Sequence, residues 1–384
     1  MPTTPRKHGV NIIEVKKGAI ARIEVASSIW AVVVAASDAD PVVFPAGVAV
    51  LVTDPEAALA AAGEEGTAAI VMQAIADCGP SIGVVVRIDD PTGATPAEIA
   101  ADQTAKVVAA LQTLRLSEQT LHVRPRILAA PGLDDEPVAV ALGVLASKLN
   151  AMAYAKSEGD TPEEVTAYRG KFAVRELMLI DRDFTAPYLA DAGAVSFATA
   201  RAVGLRAKID REIGYNKTIS NVPVPGVNGI VAPRTWDLNT AETEMGLING
   251  SDVVGLIQRS GFRFWGNRTC SADPRFAFES AVRTNQIIRE TIAEGLFPYI
   301  DMPLTMGLAS HLVESINALL RREERAGRII GGKAYLAAGN TPDQLAAGKL
   351  RLGYRFTDTA PLEDLGVESE ITDEFYADTF KLAA

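Results

Sequence analysis

Short apolar runs alternate with helix-opening signals through the first two-thirds of the chain. Residues 29–35, 48–52, 82–88, 126–130 and 174–180 have strand length and strand composition, and several are apolar at consecutive positions, as strands covered on both faces are. Between them, helix starts are marked at Asp54-Pro55, at Thr95-Pro96-Ala97-Glu98 and at Thr161-Pro162-Glu163-Glu164. The last two spell capping boxes: the threonine oxygen accepts from the third helical amide and the glutamate reaches back to the threonine amide. Strands alternating with capped helices predict an α/β domain with a substantially parallel sheet, over roughly residues 23–258.

The pattern changes after a proline-rich piece at 222–233, which reads as an irregular, extended excursion. From 276 to 294 the residues Phe278, Ala281, Val282, Asn285, Ile288 and Ile292 fall on one helical face; Leu308, Leu312, Ile316, Leu319 and Leu320 form a second stripe. Strands are expected at 333–338 and 349–356, joined through a third capping box at Thr341-Pro342-Asp343-Gln344. Two helices on a small sheet predict an α+β domain over roughly 259–360. The ends belong to neither core. Residues 10–15, with Val10, Ile12, Ile13 and Val15, and residues 371–382, with Ile371, Phe375, Tyr376 and Phe380, are strand-like but lack a nearby hairpin partner. They read as extended arms, 1–22 and 361–384, whose unpaired backbone groups gain from joining another sheet edge.

Charge separates the two arms. Residues 1–22 carry Arg6, Lys7, Lys16, Lys17 and Arg22 against Glu14 alone, whereas 361–384 carry seven acids against Lys381. The net charge of −11 argues against a nucleic-acid partner, which would require a cationic surplus. Cys78 and Cys270 show neither a disulfide framework nor metal-ligand spacing, and no apolar run reaches membrane-spanning length. A reduced, cytosolic site of synthesis without a signal peptide is expected.

Candidate catalytic chemistry is thin. Gly79-Pro80-Ser81-Ile82-Gly83 matches the serine-hydrolase G-x-S-x-G pattern, yet Ser81 precedes a strand rather than following one, and only His8, His122 and His311 exist to serve it. Gly331-Gly332-Lys333 lacks the spacing of a phosphate loop, and Asp134-Asp135-Glu136 lacks that of a calcium loop. No catalytic, cofactor or metal residue is assigned. Arg321, Arg322, Arg325 and Arg328 close the second C-terminal helix, where cations complement the helix dipole.

The run Gly-Phe-Arg-Phe-Trp-Gly-Asn-Arg-Thr-Cys-Ser-Ala-Asp-Pro from Gly261 to Pro274 is the most specific stretch. With Arg283-Thr284, Asp301-Met302-Pro303, the glycine-flanked run 327–332, His8-Gly9-Val10 and Asn221-Val222-Pro223-Val224-Pro225-Gly226, it resembles the contractile tail sheath proteins of bacteriophages and R-type pyocins. That resemblance implies an outer α/β domain of subtilisin-like fold without protease activity, and an inner α+β C-terminal domain. It implies a sheath subunit polymerised as stacked hexameric rings around a tail tube, with baseplate and tail terminator proteins as further partners and the virion tail as location. In that setting the arm residues would pair with neighbouring copies, and Arg321, Arg322 and Arg325 would face the tube. The competing reading is a soluble α/β hydrolase using Ser81; a type VI secretion sheath fits less well, because those sheaths use two different chains.

Overall fold

A computed structural model describes residues 26–189, 194–373 and 375–376. The strands are β1 (Trp30–Ala35), β2 (Ala49–Val52), β3 (Gly83–Ile88), β4 (Ile127–Ala129), β5 (Met152–Lys156), β6 (Leu177–Ile180), β7 (Phe184–Thr185), β8 (Gly229–Ile230), β9 (Gly255–Gln258), β10 (Phe262–Trp265), β11 (Ile329–Leu336) and β12 (Leu352–Asp358). The helices are α1 (Pro55–Ala58), α2 (Ala68–Ala76), α3 (Pro96–Thr113), α4 (Ser117–Thr120), α5 (Glu136–Leu149), α6 (Pro162–Arg169), α7 (Ala198–Glu212), α8 (Glu244–Gly250), α9 (Glu279–Leu296), α10 (Met306–Arg325) and α11 (Pro342–Ala346).

The main sheet runs β2-β3-β1-β4-β5-β6, with β2 antiparallel to β3 and every other pair parallel. Both faces are covered, which is why its strands read as continuous apolar runs. Trp30, Val32 and Val34 point into a core shared with α2 and α7, while Ala31 and Val33 point into a second core shared with α3 and α5. The capping boxes at Thr95 and Thr161 form in both directions, and Thr341 accepts from the Gln344 amide at 3.4 Å. Gln344 returns no bond, so that third cap is half a box.

The pattern reading did not single out β5, and three further features differ from it. α7 is the largest departure. Ala198–Glu212 is buried nearly all round, including Arg201 and Arg206, so no amphipathic stripe marks it. It lies so close to α2 that a Cβ on Gly204 would sit 3.0 Å from Ile75 Cα and from Cys78 Sγ. Second, the proline-rich piece is not an excursion. Asn221 N–H donates to Phe264 O at 2.9 Å and Val224 N–H to Phe262 O at 2.9 Å, so the start of this piece lies along the outer edge of β10, and Gly229-Ile230 further on pairs with β7. Third, the division near 258 falls inside the β9–β10 hairpin, whose Leu256 and Phe264 pack in the core of the large layer.

The small C-terminal core gathers Ile288, Ile316, Leu320, Ile329 and Ala334, with Leu352, Tyr354 and Phe356 packed against it. α9 belongs to both bodies: Val282 sits in the large core and Ile288 in the small one. The helix therefore acts as the shared beam between them.

Candidate assembly surfaces

β11 and β12 pair with each other and with no third strand among the described residues. One face of this ribbon lies on α10. Its two outer edges differ. On β11, the Ala334 amide is taken by the Asn317 side chain from α10 at 2.7 Å. On β12, no described group bonds the outward backbone positions, so the edge is a template for strand addition.

Of the arm residues singled out by sequence, Val10, Ile12, Ile13, Val15 and Phe380 lie outside the described residues. Ile371 is fully exposed. Phe375 and Tyr376 are exposed in helical geometry, with the Tyr376 amide donating to Asp373 O at 3.0 Å, which replaces the strand expected there within the single chain.

The arginines at the end of α10 divide into two kinds. Arg321 and Arg325 are exposed, and Arg321 pairs with Glu314 at 2.5 Å. Arg322 and Arg328 instead turn toward Glu323, at 2.9 and 3.0 Å. Glu323 is buried and also accepts from Tyr215 Oη at 2.7 Å, which ties α10 to the loop after α7. Burial alone would push the Glu323 carboxyl up, but the bonds from Tyr215, Arg328 and Arg322 outweigh it and hold it below its usual range. The Tyr215 hydroxyl is pushed up by burial and by the Glu323 charge. His311 donates to or accepts from Tyr299 Oη at 2.9 Å on the same small domain.

A second charged junction lies beneath α9. Arg206 reaches Asp210 at 2.7 Å and Glu279 at 3.5 Å; Arg283 pairs with the same Asp210, and Tyr154 Oη donates to Glu279. All five side chains are buried. Burial pulls the Arg206 guanidinium down, and Asp210 with Glu279 more than reverses it. Arg283 further donates to the carbonyls of Arg126 and Ser27 at 3.2 and 3.1 Å. These contacts fasten the shared helix to the base of the parallel sheet. Sequence reading noticed Arg283 as part of a motif but not its partners, since pairing across 73 residues leaves no local signal.

Ser81 has a structural partner. Its hydroxyl accepts from the Trp30 indole at 2.9 Å, and among the described residues no histidine or carboxylate bonds it. The crevice at the carboxyl ends of β4, β5 and β6, about 540 Å³, is where open α/β sheets hold ligands. Here its polar groups serve the fold: Lys156 pairs with Asp183 at 2.6 Å, and Asp183 caps α7 by accepting from the Ala198 amide at 2.9 Å. Burial pushes the neighbouring Asp134 carboxyl up to about 7 despite the bond it accepts from the Lys156 amide. No group of three potential metal ligands occurs among the described residues, and no described helix is long and apolar enough to cross a membrane.

No protein-family model matches the chain. Among curated proteins it is 41% identical to the tail sheath protein of Escherichia phage P2, over 96% of both chains. It is 36% identical to the major tail sheath protein of Serratia phage KSP20, over 97% of both. Among solved structures, the helical sheath of the anti-feeding prophage in its contracted state superposes with a TM-score of 0.70 at 19% identity, covering 96% of this chain and 100% of that one. The hydrolase reading of Ser81 finds no support in these relatives or in its bonding.

Proposed function

The chain belongs to the contractile tail sheath proteins of phages, and from that premise we propose that its copies are linked by exchanged arms and shorten together without any catalytic step. In this reading the copies stack as hexameric rings around a tail tube, bounded by baseplate and tail terminator proteins, in a particle assembled in the host cytoplasm. The stroke derives from the difference between two packings of the same subunits. The large layer is read as the outer, subtilisin-like domain, and the region from α9 through β12 as the inner one.

The observation that carries this reading is the β11–β12 ribbon, seated on α10 with the outer edge of β12 unpaired. A subunit that must slide past its neighbour without losing it needs a grip independent of side-chain fit, and main-chain pairing supplies one. The basic segment bearing Val10, Ile12, Ile13 and Val15 and the acidic segment bearing Ile371, Phe375, Tyr376 and Phe380 are the strands to be added, guided by their opposite charge. Phe375 and Tyr376 would exchange their helical geometry for a strand on pairing. Arg321, Arg322 and Arg325 would face an acidic tube; Arg321 and Arg325 are exposed in support of this, whereas Arg322 is half committed to Glu323.

Deleting residues 1–20 or 363–384 tests the arms. Each truncation is expected to yield a folded monomer that forms no sheath in negative-stain micrographs. Normal sheaths from either one would end the arm-exchange reading.

A further inference from the structure

The chain leaving β12 faces a choice. An acidic, partly strand-like segment begins only a few residues beyond an open sheet edge. Short hairpin loops of two to five residues are common, and a tether of that length gives an effective concentration of about millimolar, against which a neighbour's arm must compete. Folding back onto β12 would cap the edge and leave a subunit unable to link.

The structure shows the chain doing something else. Thr359 Oγ1 donates to Gly327 O at 3.2 Å, and Pro361 follows, which offers no amide to a ladder. Residues 359–363 then line a cleft of about 610 Å³ together with Lys217, Asn221, Trp265 and Asn267 of the large layer. Glu363 ends this run in a two-pronged bond with Arg268, Nε at 2.9 Å and Nη2 at 2.7 Å. Arg268 is itself oriented by Asp252 at 3.8 Å and by lying over the Phe278 ring at 5.1 Å. Paired prongs of this kind fix direction as well as distance.

We propose that the Arg268–Glu363 pair is a clasp that carries the root of the C-terminal arm away from its own β12 edge, so that the arm reaches a second copy of the chain instead of capping itself. Arg268 is thus a positioning residue, and its place in the Gly-Asn-Arg-Thr run acquires a purpose that aromatic packing does not explain. The inference rests on the arm-exchange reading and adds to it the means by which self-pairing is avoided. Both partners are partly exposed, so the bias per copy is modest, about three- to fivefold. In a polymer every copy must be linked, so the bias acts on the rate of each addition.

The test uses the full-length chain carrying Arg268→Glu, Glu363→Lys, or both. Glu363→Lys should leave the monomer's melting temperature unchanged, and each single reversal should slow polymerisation about three- to fivefold and raise hydrogen-exchange protection at β12 amides in unpolymerised subunits. The double reversal should restore both readouts. Single variants that polymerise at the parent rate, or a double variant that fails to recover, would overturn the clasp. The truncation at 363–384 separates the two ideas: if it still polymerises, arm exchange itself is wrong; if it is blocked while the clasp variants behave as the parent does, only the clasp is wrong.

Discussion

Replacing Arg283 by methionine probes how the shared helix α9 is held. The buried group comprises two cations, Arg206 and Arg283, and two anions, Asp210 and Glu279, so it is neutral as a set. Arg283→Met removes one cation and leaves Asp210 and Glu279 to share Arg206, with one negative charge uncompensated where no water reaches. It also strips a donor from the carbonyls of Arg126 and Ser27. Breaking a buried pair from one side costs about 3–5 kcal/mol. Because Asp210 keeps its 2.7 Å contact with Arg206, the low end, about 3 kcal/mol, is expected. Against a typical total of about 5–15 kcal/mol, that is a large fraction. Adding Asp210→Asn restores neutrality, and the pair of substitutions should cost at least about 2 kcal/mol less than the sum of the singles. Urea unfolding of the parent, two single and double variants, followed by circular dichroism, measures all four corners. A loss below about 1 kcal/mol for Arg283→Met, or an additive cycle, would show that this charge group does not hold the helix.

Asp134 makes stability depend on pH in the unusual sense. Its folded value of about 7 lies above the ordinary 3.8 because of burial, so the folded chain holds a proton that the unfolded chain has released, and stability falls as pH rises from about 4 to 7. Asp134→Asn should flatten that fall and gain up to about 4 kcal/mol at pH 8, read from denaturant melts across pH; a variant as steep as the parent would refute it. Reversing Arg321, Arg322 and Arg325 to glutamate should weaken assembly on a tube while contracted polymers still form, and unchanged extended sheaths in electron micrographs would rule out that contact. Leu320→Ala, at a fully buried position of a five-residue core, should cost about 2–5 kcal/mol in thermal or urea melts, and a loss under about 1 kcal/mol would show that the small core is not packed as described.

Five strands of the main sheet, the capped starts of α3 and α6, and the paired stripes of α9 and α10 were legible in the sequence because each rests on local signals: apolar runs, a threonine three residues before a glutamate, a repeat of 3.6. β5 was not, because Met-Ala-Tyr-Ala-Lys is alanine-rich and follows α5 after only two residues. The two strands of the ribbon were legible too, near 333–338 and 349–356, but its open edge was not. Family membership was carried by the run from Gly261 to Pro274 and its companions, which local chemistry alone would have left as a strand, a turn and a helix start.

Other features had no local signature. α7 is enclosed on every side, so its polarity pattern reflects long-range partners such as Asp77 for Arg201 rather than a solvent boundary. The proline-rich piece looked irregular, yet its edge pairing to β10 depends on a strand some forty residues later. Glu323, Arg283 and Arg268 are ordinary charged residues until the fold sets Tyr215, Asp210 and Glu363 against them. Sequence fixes what hydrogen-bonding and packing within a few residues can enforce; burial and charge pairing arise from distances through space, and those exist only once the chain has folded.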